Sequence, residues 1–249
     1  MVNELEADEI QTIMLAAISG IDEDKILKNN VSSGEKEILE QTICVIEHFK
    51  SNIVISMLPD PSITQLQSQV RRLALKHNID NLFYDYIATS PSLVSEYGSV
   101  GVREDVALGM LSNCLKNLAN ELNIFVWSGT QYNAKGIDAE FIDTSCLRGS
   151  KAIADKIDVG IGINTSTKEL FQQLSSNYGL QINVKFDLYK NRRGRTDVSL
   201  YGHMDLGKMT FRGIFLETRN GEQIQLSPMV KEFDPSELKS LETYLERQK

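Results

Sequence analysis

The chain offers neither a disulfide framework nor a zinc-site spacing. Its three cysteines, Cys44, Cys114 and Cys146, are odd in number, far apart and without a C-x-x-C. That usage points to a reducing compartment. Long apolar runs are missing too: no stretch approaches the ~20 residues needed to span a bilayer. The opening Met1-Val2-Asn3-Glu4-Leu5-Glu6 is the opposite of a signal peptide. A cytoplasmic location with no membrane partner is expected. Positive charge is in deficit, with 26 Lys and Arg against 34 Asp and Glu and a net charge of −8. This argues against a uniformly basic nucleic-acid binder and leaves room for a local basic stripe. There is no internal repeat and no low-complexity tract.

What is present is ordinary globular material: 249 residues, 41% hydrophobic and 24% charged. One large α/β domain is the economical reading. Its centre is Asn81-Leu82-Phe83-Tyr84-Asp85-Tyr86, a short apolar run preceded by the turn residues Asn78 and Asp80. Between longer helical patterns, such a run reads as a central parallel strand buried on both faces. A carboxylate suits that strand only at its carboxyl end, where α/β sheets open their ligand crevice. Asp85 stands there, able either to hold a cation and a phosphate or to cap a turn.

Helical spacing runs from Glu4 to Ser19, around Asp22–Lys28, from Ser32-Ser33 through Phe49, from the Pro59-Asp60-Pro61-Ser62 break to about His77, and over Val102–Leu122. Strand-like runs fall at Asn52–Met57, Asn123–Ser128 and Val159–Ile163, the last with Gly160 and Gly162 allowing close approach. Ile182, Val184, Phe186 and Leu188 alternate, which predicts a strand with one solvated face. Val198–Met204 and Met209–Glu217 read as antiparallel hairpin strands. Ala88–Gly101 is rich in Ser, Gly and Pro and reads as a long loop. A final amphipathic helix is expected over about 235–248.

Several polar groups collect on the carboxyl side of the expected sheet. Glu4 precedes the first helix, Asp85 ends the central strand, and Thr130-Gln131 follows the strand at 123–128. Arg148-Gly149-Ser150-Lys151 begins a helix after a polar loop. Lys190-Asn191-Arg192-Arg193-Gly194-Arg195 carries four positive charges, and is placed at a hairpin tip. Each has a plain alternative: a solvated first-turn Glu4, a loop polar at Gln131, a charged turn guarding a sheet edge. Order and spacing carry the weight.

That order resembles the C-terminal, RecA-type motor domain of the replicative helicases typified by DnaB, over roughly residues 3–225. Asn3-Glu4-Leu5 with Asp8-Glu9-Ile10-Gln11 is similar to the segment with the family's catalytic glutamate. Pro59–Ile63, Val70-Arg71-Arg72-Leu73 and Phe83-Tyr84-Asp85-Tyr86 resemble the approach to its Walker B strand. Leu115–Asn123 followed by Thr130-Gln131-Tyr132-Asn133 resembles its long helix and polar sensor. Leu147-Arg148-Gly149-Ser150 with Asp155 and Asp158 resembles its DNA-contacting loop and helix, and Lys190-Asn191-Arg192-Arg193-Gly194 its Lys-x-Arg-x-Gly finger. The resemblance implies ATP and Mg²⁺ as cofactors, single-stranded DNA as partner, and a homo-hexamer or neighbouring helicase subunits. It assigns Asp85 to Mg²⁺ through water, Glu4 to the attacking water and Gln131 to sensing the γ-phosphate. Lys190 and Arg192 would reach a neighbour's nucleotide, and Arg148, Gly149 and Lys151 would touch DNA.

The departures are as informative. A motor of this type needs Gly-x-x-x-x-Gly-Lys-Ser/Thr to cradle phosphates. The near match, Gly202-His203-Met204-Asp205-Leu206-Gly207-Lys208-Met209, ends in a residue that cannot ligate Mg²⁺ and leads into strand-like sequence. Gly149 stands where the family often has Glu, and Lys151 where it often has Gly. The expected fold is therefore a RecA-like P-loop NTPase core truncated at its N-terminus, a mainly parallel sheet flanked by helices, with C-terminal β-hairpins. A single incomplete domain over 1–249 is expected. The alternative is a catalytically inactive remnant or split-gene half that binds DNA or docks on intact subunits, its P-loop segment separately encoded. With the P-loop strand and its neighbour missing, apolar residues such as Ile53 and Ile55, or Phe125, should be partly exposed.

Overall fold

The computed structural model describes residues 1, 6–48, 53–96, 103–137, 139–148, 150–165, 168–179 and 181–226. Glu4, Gly149 and the helix expected at 235–248 lie outside the described residues.

Three helices come first: α1 (Ala7–Ser19), α2 (Glu23–Leu27) and α3 (Ser33–His48). Glu6 and Glu9 form a capping box at the start of α1, and Gly20 ends it at φ 70°, donating its N–H to the Ala16 carbonyl at 2.9 Å. Within the strand expected at 52–57, Ile53–Ser56 make no regular element and Met57 forms a β-bridge. Helix α4 (Ile63–His77) begins where Pro59–Ser62 predicts. Ser62 Oγ accepts from Gln65 N, Gln65 Oε1 accepts from Ser62 N, and the Glu96 carboxylate accepts from Ile63 N at 2.6 Å and Thr64 N at 3.0 Å. This carboxylate at a helix start is held below its usual range by the Thr64 and Ile63 hydrogen bonds, although burial acts against them.

Strand β1 (Asn81–Tyr84) follows, then α5 (Pro91–Glu96), α6 (Glu104–Leu122) and β2 (Phe125–Ser128). The loop expected over 88–101 thus contains a helix. Ser90 Oγ accepts from Leu93 N, Asp60 accepts from Ser92, and Pro91 takes the first helical position, where its missing N–H costs nothing. After β2 come α7 (Ala134–Ile137), a 3-10 turn (Thr144–Cys146), α8 (Ser150–Ala154), β3 (Val159–Asn164) and α9 (Lys168–Tyr178). Four strands close the described chain: β4 (Val184–Asn191), β5 (Val198–Asp205), β6 (Thr210–Thr218) and β7 (Gln223–Gln225).

β1 and β2 pair in parallel, and β3–β4–β5–β6–β7 form an antiparallel five-stranded sheet. The main core lies beneath the parallel pair, where Leu66 and Val70 of α4, Leu108, Leu111, Leu115 and Leu118 of α6, and Leu82 and Tyr84 of β1 meet. A second core packs Phe171 of α9 on Tyr201, Ile214 and Phe215 of the antiparallel sheet. In β3 the two glycines serve side chains: a Cβ at Gly160 would meet the Tyr189 ring, and one at Gly162 would meet Ile142. The Gly202–Met209 near match to a phosphate loop occupies β5 and the turn into β6, with no helix after it.

Burial of β1 alternates, so the strand is not enclosed on both faces by the described residues. Phe83 is 63% exposed, and with Phe125 (54%) and Trp127 (47%) it forms an aromatic row, Phe83 stacked on Trp127 and Phe125 tilted against it at 4.8 Å. Ile53 is exposed and Ile55 half-buried, and Val159, Ile161 and Ile163 expose one face of β3. Apolar faces of this kind promote association. The chain is expected to show concentration-dependent self-association in light scattering, which Phe83→Ser with Trp127→Ser should reduce. A strict monomer at high concentration would count against this.

Candidate functional site

The parallel register pairs Tyr84 with Ser128, so β1 and β2 end side by side. Pairing continues past both ends. Ser128 Oγ donates to the Tyr84 carbonyl at 2.6 Å, and Ile87 N donates to the Gly129 carbonyl at 2.9 Å. Asp85 therefore stands beside Gly129-Thr130-Gln131. Its carboxylate is exposed, while its backbone N–H donates to the Met1 carbonyl at 3.0 Å. The Met1 ammonium donates to the Phe83 carbonyl at 2.6 Å; burial holds it below its usual range, with Asp85 opposing that shift.

Gln131 links two elements. Its Nε2 donates to Tyr86 Oη at 3.4 Å, a long contact, and its Oε1 accepts from Arg148 Nη1 at 3.0 Å. Arg148 also donates its backbone N–H to the Gln131 carbonyl at 2.9 Å and pairs through Nη2 with Glu104 at 2.6 Å. The segment between them is tied at its base. Tyr132 bridges Leu147, and Asn133 Nδ2 donates to the Ser145 and Leu147 carbonyls. Tyr132 Oη bonds both the N–H and the carbonyl of Ile163, and burial pushes its phenol above the usual range.

The second basic group is placed differently from the expectation. Lys190 is a strand residue opposite Gly160, and its ammonium donates to the Ala154 carbonyl; Arg192 and Arg193 form the turn. Arg192 donates its N–H to the Asp158 carbonyl and pairs with the Asp158 carboxylate at 3.3 Å. Lys116 binds the same carboxylate, and chiefly through this contact keeps it below the usual range. Lys151 lies in α8 by its backbone.

The structure thus brings Asp85, Gln131 and Arg148 into one neighbourhood and leaves Lys190 and Arg192 with intrachain partners. Sequence reasoning missed Tyr86, Glu104, Lys185 and Asp187. Glu104 carries only a first-turn acidic signal, which says nothing of Arg148. Lys185 and Asp187 correct the solvated face expected for the strand at 182–188. Asp187 is fully buried and Lys185 nearly so, because the segment at 139–143 folds over them. Lys185 Nζ donates to the Glu140 carbonyl at 2.8 Å and lies 3.1 Å from Asp187, which also accepts from Ile142 N and Ser199 Oγ.

The donor set fits the implied nucleotide and metal only in part. One exposed strand-end carboxylate suits Mg²⁺ held through water and substrate phosphates. Among the described residues there is no cluster of three or more His, Cys, Asp or Glu able to hold an ion alone. The glycine-rich turn at 202–209 closes a hairpin and offers no strand–loop–helix phosphate cradle. No hydrolytic step follows from these residues by themselves. Among the described residues no helix is long and apolar enough to cross a membrane.

A parallel strand pair with a carboxylate and an amide at its carboxyl end, packed on helices and followed along the chain by a separate antiparallel sheet, has the arrangement of a RecA-like α/β ATPase fold. Residues 1–206 match the family described as DnaB-like helicase C terminal domain, and the chain belongs to that family. It is 32% identical over 238 residues to the SPbeta prophage-derived uncharacterized protein YorI of Bacillus subtilis (strain 168). The match covers 91% of this chain and 47% of YorI, so the chain spans about half the length of that relative. Two solved structures share the fold at a TM-score of 0.66, each over 85% of this chain. One is a DnaB-like replicative helicase described with its interactions with primase, 18% identical and covered over 50% of its length. The other is described as an ATPase domain, 19% identical and covered over 73% of its length.

Proposed function

We propose that this chain is the Walker B, sensor and DNA-contact portion of a replicative-type helicase motor, which couples ATP hydrolysis to movement along single-stranded DNA when complete. The observation that carries this reading is the line from Asp85 past Tyr86 to Gln131 and on to Arg148. On this reading it would join the place for a metal-bound phosphate to the start of a DNA-contacting loop. Asp85 would hold Mg²⁺ through water, and Glu4 would orient the attacking water. Gln131 would meet the γ-phosphate and transmit its presence through Arg148. Arg148, Gly149 and Lys151 would touch DNA phosphates. Lys190 and Arg192 would serve a neighbouring subunit's nucleotide in a head-to-tail homo-hexamer, exchanging Ala154 and Asp158 for that ligand. The phosphate cradle would come from a P-loop segment, in the same chain or separately encoded. A second reading, a DNA-binding piece that docks on intact helicase subunits without turning over ATP, draws on the exposed aromatic row of β1 and β2.

Binding to single strands by one chain should be weak, in the ~10⁻⁴–10⁻⁶ M range of non-specific association, independent of base sequence and weakened by salt. In fluorescence anisotropy, Arg148→Ala with Lys151→Ala should lower both the affinity and its salt dependence, because fewer counterions are released. Lys190→Ala with Arg192→Ala should leave binding nearly intact. The reverse pattern would exchange the roles of the two basic clusters.

A further inference from the structure

The guanidinium of Arg148 is already committed. One amino group donates to Gln131 Oε1 at 3.0 Å and the other pairs with the Glu104 carboxylate at 2.6 Å, while the backbone N–H below them donates to the Gln131 carbonyl. Glu104 is the first residue of α6, whose buried face (Ala107, Leu108, Leu111) fixes it against the core. Both ends of the ion pair are about half exposed, at 50% for Arg148 and 44% for Glu104. An anion arriving from solvent can therefore reach the pair, and it must compete with Glu104 for the same nitrogen.

From this geometry we infer that Glu104 is an autoinhibitory positioning residue. It folds Arg148 back onto Gln131, and a DNA phosphate engages Arg148 by displacing the Glu104 carboxylate. The inference rests on the proposed DNA contact of Arg148 and adds the group that opposes it. Arg148 is then held in one of two arrangements, parked on Glu104 and Gln131 or turned to phosphate. A change at Gln131 would alter that balance directly.

The test separates the tie from the general effect of removing a negative charge. Asp105 adjoins Glu104 and pairs with Arg103 at 2.7 Å. Asp105→Asn therefore changes the net charge by the same amount in the same turn and leaves Arg148 alone. Binding of a labelled single-stranded oligonucleotide is measured for Glu104→Gln and Asp105→Asn, each with Arg148 intact and with Arg148→Ala. With Arg148 present, Glu104→Gln should bind about two- to fivefold more tightly than Asp105→Asn, the worth of one half-exposed ion pair. With Arg148→Ala that difference should vanish, which a merely structural role for Glu104 would not produce. Equal affinities for the two variants, with Arg148→Ala still weakening binding, would overturn the inference and leave the DNA reading standing. Binding indifferent to Arg148→Ala in the otherwise unchanged chain would overturn the DNA reading, and the inference with it.

Discussion

Asp187→Ala is expected to lower the stability of the chain by about 3–5 kcal/mol, the cost of leaving a buried charge without its partner. Lys185 and Asp187 have side chains 6% and 0% exposed and stand 3.1 Å apart on β4. Neither charge is left to a single contact. Asp187 also accepts from Ile142 N at 3.0 Å and Ser199 Oγ at 2.7 Å; Lys185 donates to the Glu140 carbonyl, and its ammonium lies over the Phe141 and Tyr201 rings. Deleting the carboxylate strands the ammonium, the Ile142 amide and the Ser199 hydroxyl in one small volume. The pair itself is a weaker stabiliser than that figure suggests, since both charges were desolvated on folding. Lys185→Met with Asp187→Leu should therefore recover much of the loss, and Asp187→Asn, which keeps an acceptor, should fall between. Urea unfolding of the four proteins gives the comparison. A loss below about 1 kcal/mol for Asp187→Ala, the size of an ordinary net hydrogen bond, would mean that the ammonium escapes to solvent.

Much of the fold was legible because local signals carry it. The Pro59–Ser62 break announces α4, the apolar spacing over 102–122 announces α6, and the apolar run at 81–84 is a strand. The placement of Asp85 and Gln131 at neighbouring strand ends was also legible, because strands paired in parallel put their carboxyl ends on one side. What was not legible depends on distant residues. Alternation around Val184 and Phe186 places Lys185 and Asp187 on the opposite face, but only the segment at 139–143 decides that this face is covered. The ties of Arg148 to Glu104, of Lys190 to Ala154 and of Arg192 to Asp158 join residues at least 34 positions apart, which periodicity and charge cannot forecast. Helix α5 hides in a Ser/Pro-rich stretch because its caps, Ser90 and Asp60, look like loop residues until they meet.

ATP turnover by the 249-residue chain is expected to be indistinguishable from that of a Glu4→Gln control, with or without single-stranded DNA. Phosphoryl transfer in motors of this kind depends almost wholly on positioning and on charge stabilisation of the phosphates. Backbone amides and a lysine at a helix start supply most of that field, and on the proposed reading Asp85 would add only a water-mediated hold on the metal. In these residues the one near match to such a loop is the β5–β6 turn, where Met209 replaces the metal-binding hydroxyl and a strand replaces the helix. On the proposed reading, Gln131 and Glu4 would then lack a fixed γ-phosphate to act on. Joining a strand–loop–helix segment with Gly-x-x-x-x-Gly-Lys-Ser/Thr, in cis or as a second polypeptide, should produce turnover that DNA stimulates and that Glu4→Gln or Asp85→Asn abolishes. Phosphate release above the control from the chain alone, rising with added DNA, would show that a cradle exists within it and overturn the assignment of its parts.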